Sequence, residues 1–196
     1  MKRIQDRTRR RKFLGAALAL PFVSIRAASG QALQLTPACG ETTDRTPAQT
    51  AGPFYTPNSP RRGSLVESGS KAERLVVTGF VLLLQCKSVA YALLDFWHCD
   101  EAGEYDNKGS RYRGHVFADA QGRYSLETIV PGEYPGRTRH IHVNVQVPGG
   151  RVLTTQVYFP DEPRNRSDWI YRPELTMQVT REGGRRDARF DFVVAA

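Results

Sequence analysis

The chain has 196 residues, of which 40% are hydrophobic and 24% are charged, and its formal net charge is +8. This length fits a single domain with a substantial apolar core. The positive charge is concentrated in residues 1–28, where eight basic residues stand against one acidic residue, so the remainder carries a net charge of only +1. The charge therefore belongs to a leader, and no nucleic-acid partner is indicated.

Residues 1–32 have the organisation of an export signal. A basic segment precedes an apolar stretch from Phe13 to Ile25, and small residues follow from Ala27 onward. The stretch of 13 residues is shorter than the ~20 residues that span a bilayer. Arg10-Arg11-Lys12-Phe13-Leu14 resembles a twin-arginine signal, although an ordinary secretory signal with additional arginines would show a similar pattern. The sequence predicts a periplasmic or secreted bacterial protein, with no membrane association in the mature form.

The mature chain changes composition near residue 74. Residues 33–74 are rich in proline, glycine, threonine and charge, and we expect an extended arm along the core. Residues 75–196 contain short β-rich runs separated by turn residues, and they show no sustained helical period. The predicted strands are Leu75–Leu84, Ala90–Trp97, Arg123–Ile129, His140–Val147, Val152–Phe159, Leu175–Thr180 and Ala188–Val194. We therefore predict an all-β fold, a single-domain β-sandwich with an extended N-terminal arm.

The three cysteines, Cys39, Cys86 and Cys99, have no spacing typical of a zinc site. In an oxidising compartment they predict one disulfide and one free thiol, and the sequence leaves the pairing open. For two of the four histidines we also predict structural roles. His98 adjoins Trp97 and Cys99, and His115 stands alone before an apolar pair.

The segment that begins at His140 combines unusual chemistry with a strand pattern. Side chains two positions apart leave the same face of a strand, so the imidazoles of His140 and His142 can converge. Two neutral imidazoles suit zinc, copper or iron about equally. Tyr105 and Tyr134 add phenolic oxygens, whose free pKa of about 10 requires a strong cation for ionisation. The four side chains together indicate ferric iron, Fe(3+).

Three segments carry a resemblance to the intradiol ring-cleavage dioxygenases. They are Thr46–Tyr55, Asp95–Asn107, and Pro131–Pro135 followed by Arg137 and His140-Ile141-His142. The first is similar to the segment that opens the catalytic domain in the protocatechuate 3,4-dioxygenase branch. The chain shows no long helical segment before the domain, which favours a protocatechuate-like or secreted branch. The resemblance implies a β-sandwich with iron held at one side by strands and loops.

The resemblance also implies the roles of six residues. The metal ligands would be Tyr105, Tyr134, His140 and His142. Tyr134 would leave the metal when an aromatic diol binds, and it would accept a proton. Arg137 would stabilise negative charge on the ring as dioxygen attacks, and Gln156 would lie beside the substrate. The implied catalytic set is Arg137, Tyr134 and Gln156, and the implied product is a cis,cis-muconate-type diacid containing both atoms of O2.

Other interpretations stay open at the level of the sequence. One is a secreted, non-catalytic β-sandwich binding module, and another is a zinc or ferrous hydrolase that adds a carboxylate to His140 and His142. The substrate is a small aromatic diol of the catechol, protocatechuate or hydroxyquinol class, and homo-oligomerisation is open. Gly136 replaces a tryptophan found in many protocatechuate enzymes and predicts a more open pocket. Arg111, Arg113 and Arg139 are candidates to meet a substrate carboxylate.

Overall fold

The computed structural model describes residues 44–195, which form nine β-strands and three short 3₁₀ helices. The predicted export signal, the first part of the predicted arm and Cys39 lie outside the described residues. The strands are β1 (Arg74–Leu83), β2 (Leu93–Trp97), β3 (Arg113–Phe117), β4 (Arg123–Ile129), β5 (His140–Gln146), β6 (Val152–Tyr158), β7 (Gln178–Glu182), β8 (Arg185–Arg189) and β9 (Phe192–Val194). The 3₁₀ helices are Leu84–Cys86, Pro163–Arg166 and Pro173–Leu175.

The strands form two sheets whose apolar faces pack together. One sheet has the order β4-β1-β8-β7, with β9 also paired to β1, and the other has the order β3-β2-β5-β6. One buried cluster joins them, and it includes Leu75, Val77 and Leu126 from the first sheet and Phe96, Ile141 and Val143 from the second. Two sheets joined by a shared apolar interior form a β-sandwich. The predicted all-β fold class is confirmed for the described residues.

Beyond shifts of one residue at strand ends, the predicted strands differ from the observed ones at four places. The predicted strand Leu175–Thr180 begins only at Gln178, because Pro173–Leu175 form a 3₁₀ helix, and the predicted strand Ala90–Trp97 begins only at Leu93.

β3 was not predicted, because its five residues include Gly114 and present polar side chains outward. The predicted run Ala188–Val194 is divided into β8 and β9, which pair with successive parts of β1. At the break, Asp191 Oδ1 accepts a hydrogen bond from the backbone amide of Phe80, with an N–O distance of 2.9 Å. A buried side chain thus replaces a ladder hydrogen bond where the strand leaves and rejoins the sheet.

Residues 44–73 form the arm, and residues 49–61 of it cross the sheet β3-β2-β5-β6 on the side opposite the sandwich interior. At its two ends the arm hydrogen-bonds to the other sheet, Thr46 to Val193 and Leu65 to Glu127. The arm has no regular helix or strand, and the contacts of residues 49–61 follow the strand order β6, β5, β2, β3. These contacts pair Gln49 with Thr154, Gly52 with His142, Tyr55 with Trp97, Ser59 with Asp95, and Arg61 with His115. The arm therefore covers the face of the sheet that the second sheet leaves open.

Two further observations concern the cysteines and the possibility of a membrane-spanning helix. Cys86 is disulfide-bonded, and Cys99 is a buried free thiol. Burial raises the pKa of the Cys99 thiol to about 12, so this group stays protonated at neutral pH. Within residues 44–195, no helix has the length and apolar character needed to cross a membrane.

Candidate metal centre

His140 and His142 lie on the outer face of β5, and their side chains converge. The two Nε2 atoms are 3.2 Å apart, and both imidazoles are buried. The Thr138 carbonyl lies 2.6 Å from His140 Nδ1 and accepts its proton, so the Nε2 atom of His140 carries a lone pair. The ring of His142 stacks on Trp97 at 4.9 Å with an interplanar angle of 7°. These neighbours orient both rings so that the two Nε2 atoms face a common point.

Both imidazoles are held in their neutral form. Burial, with a smaller contribution from Arg137, lowers the pKa of His140 to about 4. Burial and the neighbouring His140 lower the pKa of His142 well below its ordinary value. A neutral imidazole is the form that binds a metal. The pair is therefore ready to act as two nitrogen ligands at neutral pH.

The ring of Tyr105 lies beside this pair, and the ring of Tyr134 lies next to Tyr105. Tyr105 belongs to the β2–β3 loop and Tyr134 to the β4–β5 loop; their ring centroids are 5.8 Å apart, and Tyr105 is 6.3 Å from His142. Phe54 of the arm stacks on Tyr105 at 4.4 Å and meets Tyr134 edge-on at 5.3 Å. Burial raises the pKa of Tyr105 above its usual value, so its phenol ionises only if a nearby cation compensates.

Glycines bring the two tyrosine-bearing loops into backbone contact. The Gly132 amide donates to the Asp100 carbonyl at 2.7 Å. A Cβ atom on Gly103 would lie 2.4 Å from the Glu133 carbonyl oxygen, and one on Gly132 would lie 2.5 Å from the Gly103 nitrogen. Any side chain at either position would push the loops apart. The two glycines therefore set the spacing of the tyrosine rings.

The chemistry of these donors limits which cation they fit. Within residues 44–195, no group of three His, Cys, Asp or Glu residues is placed to hold a metal ion. The hydrolase interpretation requires such a carboxylate ligand, and the described residues do not supply it. The aromatic cluster that begins beside His142 instead supplies phenol groups, those of Tyr105 and Tyr134. Neutral nitrogen with phenolic oxygen fits a strongly polarising cation such as ferric iron.

Arg137 adjoins the imidazole pair and is held on two sides. Its Nε donates to Asp168 Oδ2 at 2.8 Å, and one terminal nitrogen donates to Gln156 Oε1 at 2.7 Å. Gln156 Nε2 in turn donates to the Thr50 carbonyl of the arm at 2.9 Å. The Tyr158 hydroxyl donates to the same Gln156 oxygen at 3.1 Å. The network orients a half-buried guanidinium that a surface ion pair would leave free to move.

The remaining candidate residues contact other protein groups. His98 is buried between the Cys99 carbonyl and the Thr128 hydroxyl, and burial lowers its pKa to about 4. His115 contacts Ser59 of the arm. The three arginines have protein partners: Arg111 pairs with Asp100, Arg113 donates to the Asp106 carbonyl, and Arg139 pairs with Glu162. Each of the three arginines therefore already binds a protein group.

Asp168, Phe54 and Trp97 belong to the site, but the sequence did not indicate them. Asp168 lies in an irregular loop 31 positions from Arg137, and no spacing rule connects them. Trp97 faces His142 because β2 and β5 pair in that register. Phe54 lies within the resemblance segment Thr46–Tyr55, and Trp97 lies within Asp95–Asn107, but neither residue was assigned to the site from the sequence.

The fold and these side chains define a β-sandwich protein with a histidine–tyrosine site under its N-terminal arm. The family model described as Dioxygenase (Dioxygenase_C) matches residues 50–195. The chain belongs to the intradiol ring-cleavage dioxygenase family, as predicted.

Individual relatives agree with this membership. The chain is 31% identical over 159 residues to a catechol 1,2-dioxygenase of Candida albicans, covering 67% of this chain and 52% of that protein. It is 34% identical over 152 residues to a protocatechuate 3,4-dioxygenase beta chain of Burkholderia cepacia, covering 62% of this chain and 64% of the relative.

A solved structure is more similar. It is the dioxygenase domain of a dioxygenase and carbohydrate-binding protein fusion from Streptomyces sp. SirexAA-E, with 51% identity and a TM-score of 0.77. The match covers 78% of this chain and 99% of that domain. The described chain therefore corresponds to a nearly complete domain there and to a part of the two longer relatives.

Proposed function

We propose that this protein is a non-haem ferric dioxygenase that cleaves the ring of a catechol-type diol between its hydroxyl-bearing carbons. The observation that carries the proposal is the convergence of two neutral imidazole nitrogens, 3.2 Å apart, with the ring of Tyr105 beside them and the ring of Tyr134 next to Tyr105. Family membership supports the reaction class, because the matched relatives are named as catechol and protocatechuate dioxygenases. The substrate class is catechol, protocatechuate or hydroxyquinol, and the product is a cis,cis-muconate-type diacid.

The metal ligands in this proposal are Tyr105, Tyr134, His140 and His142. When bound, ferric iron acts as a Lewis acid that withdraws electron density from the diol and activates its ring toward dioxygen. His140 and His142 contribute nitrogen lone pairs without releasing protons at neutral pH, because burial keeps them neutral. Tyr105 must release its proton, so metal binding is expected to weaken as pH falls.

In this proposal Tyr134 is the group that accepts a proton from the substrate. Its ring is only half-buried, and the following Gly136 has a positive φ of 80° with open space around it. Both tyrosines are half-buried and both contact Phe54, Tyr105 by stacking and Tyr134 edge-on. We infer that the Tyr134 phenolate oxygen takes the proton from one diol hydroxyl. Gly136 also supports the predicted open pocket.

Arg137 and Gln156 supply the electrostatics. A guanidinium does not deprotonate in proteins, so Arg137 offers a constant positive charge to the anion that develops on the ring. Gln156 orients Arg137 through its side-chain oxygen and ties it to the arm through its amide. These contacts hold the charge in place before the substrate arrives, which is how preorganised donors lower a barrier.

The test compares the wild-type protein with Tyr105→Phe, which retains the ring and removes only the oxygen. Iron-loaded wild type should show a broad visible tyrosinate-to-iron band, consume O2 with a catechol and form an ultraviolet-absorbing muconate. Tyr105→Phe should lose most bound iron and all ring cleavage, because the phenolate ligand is absent. A colourless iron-loaded wild type that binds catechols without consuming O2 would contradict the proposal and indicate a binding module.

We also propose that the enzyme acts outside the cytoplasm. The twin-arginine-type pattern of residues 1–32 supports export of a protein that has already folded around its metal. Small aromatic diols and O2 are then the partners that it meets in the periplasm or the medium.

A further inference from the structure

We propose that Asp168 is a positioning residue that holds Arg137 and His140 in a fixed relation to each other. The inference rests on the proposed function for its catalytic consequence, although the geometry concerns only protein atoms. Asp168 lies in the loop between β6 and β7, and its side chain is 1% exposed. A fully buried carboxylate is rare unless it is paired and hydrogen-bonded. Its partners therefore show what it does.

The first partner is the guanidinium of Arg137. Asp168 Oδ2 accepts the Nε hydrogen at 2.8 Å, while Gln156 accepts from a terminal nitrogen at 2.7 Å. Two acceptors on different nitrogens of a planar guanidinium fix both its position and the rotation of its plane. Because only 13% of the Arg137 side chain is exposed, solvent screens this pair weakly. Loss of Asp168 would leave Gln156 as the principal constraint on Arg137.

The second partner is the backbone that carries the imidazole pair. The same Asp168 oxygen accepts the Thr138 amide at 2.8 Å, and the Thr138 carbonyl accepts the His140 Nδ1 hydrogen at 2.6 Å. Asp168 thus holds the peptide that selects the His140 tautomer with a free Nε2 lone pair. Outer partners of this kind orient ligating imidazoles in metal sites generally. One carboxylate therefore connects the charge at Arg137 to the lone pair at His140.

An uncharged isostere cannot make the same set of contacts. Asp168 accepts three hydrogen bonds, two at Oδ2 from Arg137 and Thr138 and one at Oδ1 from the Ile170 amide. An asparagine has one acceptor oxygen, so its NH2 group would face at least one of these donors. Burial raises the pKa of Asp168, but the amide and guanidinium hydrogen bonds outweigh it, and the pKa lies below its usual range. The carboxylate is thus ionised at neutral pH.

The loop of Asp168 is itself anchored to the arm and the sheet. The Gln49 side chain donates to the Ile170 carbonyl, and Asn165 joins the Thr138 hydroxyl to the Phe159 carbonyl. These contacts fix the loop on both sides of Asp168. A substitution at Asp168 should therefore change the side-chain network while the loop keeps its course.

The chain offers a matched control in Asp119. Asp119 also accepts two backbone amides at Oδ1 and an arginine Nε at Oδ2, the last at 2.9 Å from Arg123. This pair is 43% and 52% exposed and lies at the turn before β4, away from the imidazoles. Asp119→Asn therefore makes the same chemical change without the proposed role. It should retain wild-type kcat.

The experiment measures Asp168→Asn, Arg137→Ala and the double variant in the iron-loaded full-length protein. Asp168→Asn should lower kcat by about 10- to 100-fold with a smaller effect on KM, as loss of an outer partner typically does. In the double variant, the combined loss should be smaller than the product of the two single losses, because Asp168 acts partly through Arg137. Losses that multiply fully, or a wild-type kcat in Asp168→Asn, would overturn the proposal.

A readout that needs neither iron nor turnover keeps this test separate from the proposed function. Nitrogen-15 NMR of the iron-free protein reports which ring nitrogen of His140 carries the proton. Wild type and Asp119→Asn should show the Nδ1–H tautomer, and Asp168→Asn should show a mixture. An unchanged tautomer would overturn the link to His140. A wild type without ring cleavage would contradict the proposed function, yet the tautomer comparison would still decide the role of Asp168.

Discussion

The two faces of the sheet β3-β2-β5-β6 are built from the same strands and have opposite compositions. On the inner face, toward the second sheet, Phe96, Ile141 and Val143 are fully buried in the apolar core. On the outer face, Trp97 and His142 share one cross-strand row with Arg113 and Gln156. The next row contains His115, Asp95, Asn144 and Thr154. Because successive side chains of a strand point to opposite faces, the residues that form the core and the residues of the candidate site lie on opposite sides of the same sheet.

The faces also differ in what covers them. The inner face is covered by a second sheet, whereas the outer face is covered by an extended segment, the arm, and by the loops that carry Tyr105 and Arg137. An extended segment can place individual polar side chains against the sheet. Ser59 Oγ, for example, donates a hydrogen bond to Asp95 Oδ1 at 2.6 Å. The arm also approaches the imidazole closely at Gly52, where an added Cβ would lie 3.4 Å from the His142 ring, in van der Waals contact. The buried polar rows under this cover are where we propose that the metal and the substrate bind.

The largest expected effect comes from His142→Ala on the outer face. Removal of one imidazole from the converging pair should abolish ring cleavage and release most bound iron. The core on the inner face is untouched, so the sheet should remain intact. Metal analysis, O2 uptake and far-ultraviolet circular dichroism check this prediction. Retained iron with full activity would break the separation of the two faces.

The adjacent residue provides the opposite test. Ile141→Ala removes a fully buried side chain from the inner face and should lower the free energy of unfolding by about 2–5 kcal/mol. At temperatures where the variant is folded, it should keep its iron and visible band, because Ile141 points away from the imidazoles. Denaturant unfolding and the visible spectrum check both parts. Loss of colour in the folded variant would show that the faces are coupled.

The smallest expected effect concerns the anchor of the arm, Asp95. Burial raises the pKa of Asp95, and the hydrogen bonds from Ser59 and Tyr55 and the charges of His115 and Arg113 compensate only in part. Because the folded pKa lies above the unfolded value of about 3.9, ionisation destabilises the fold. This destabilisation is absent below the unfolded pKa and complete above the folded pKa.

Asp95→Asn removes that charge and keeps an acceptor for Ser59. Relative to wild type, the variant should therefore gain stability as pH rises from about 3.9 toward neutrality. The change should stay within about 1 kcal/mol, the net contribution of one hydrogen bond. Unfolding free energies measured across this pH range check the sign. A variant that loses stability with rising pH would show that the arm requires the carboxylate charge.

The sequence predicted different parts of the site for different reasons. His140 and His142 were placed together because a period of two is a local property of a strand. Tyr105, Tyr134, Arg137 and Gln156 entered through their resemblance to the family, and their roles as ligands and catalytic groups stay predictions. Asp168 was not found, because its contact with Arg137 joins two irregular loops. β3 was missed because its short, half-polar run lacks a strong strand pattern.

The amino-acid order alone determined the all-β class, the imidazole pair and the family. Each of these can be identified from neighbouring residues or from a motif. Only the tertiary structure decided that the arm covers the outer face, that Trp97 stacks on His142, and that Asp168 connects Arg137 to His140. These contacts depend on which strands pair and where loops dock. Such non-local choices are made by packing and backbone hydrogen bonding of the whole domain, so local pattern cannot encode them.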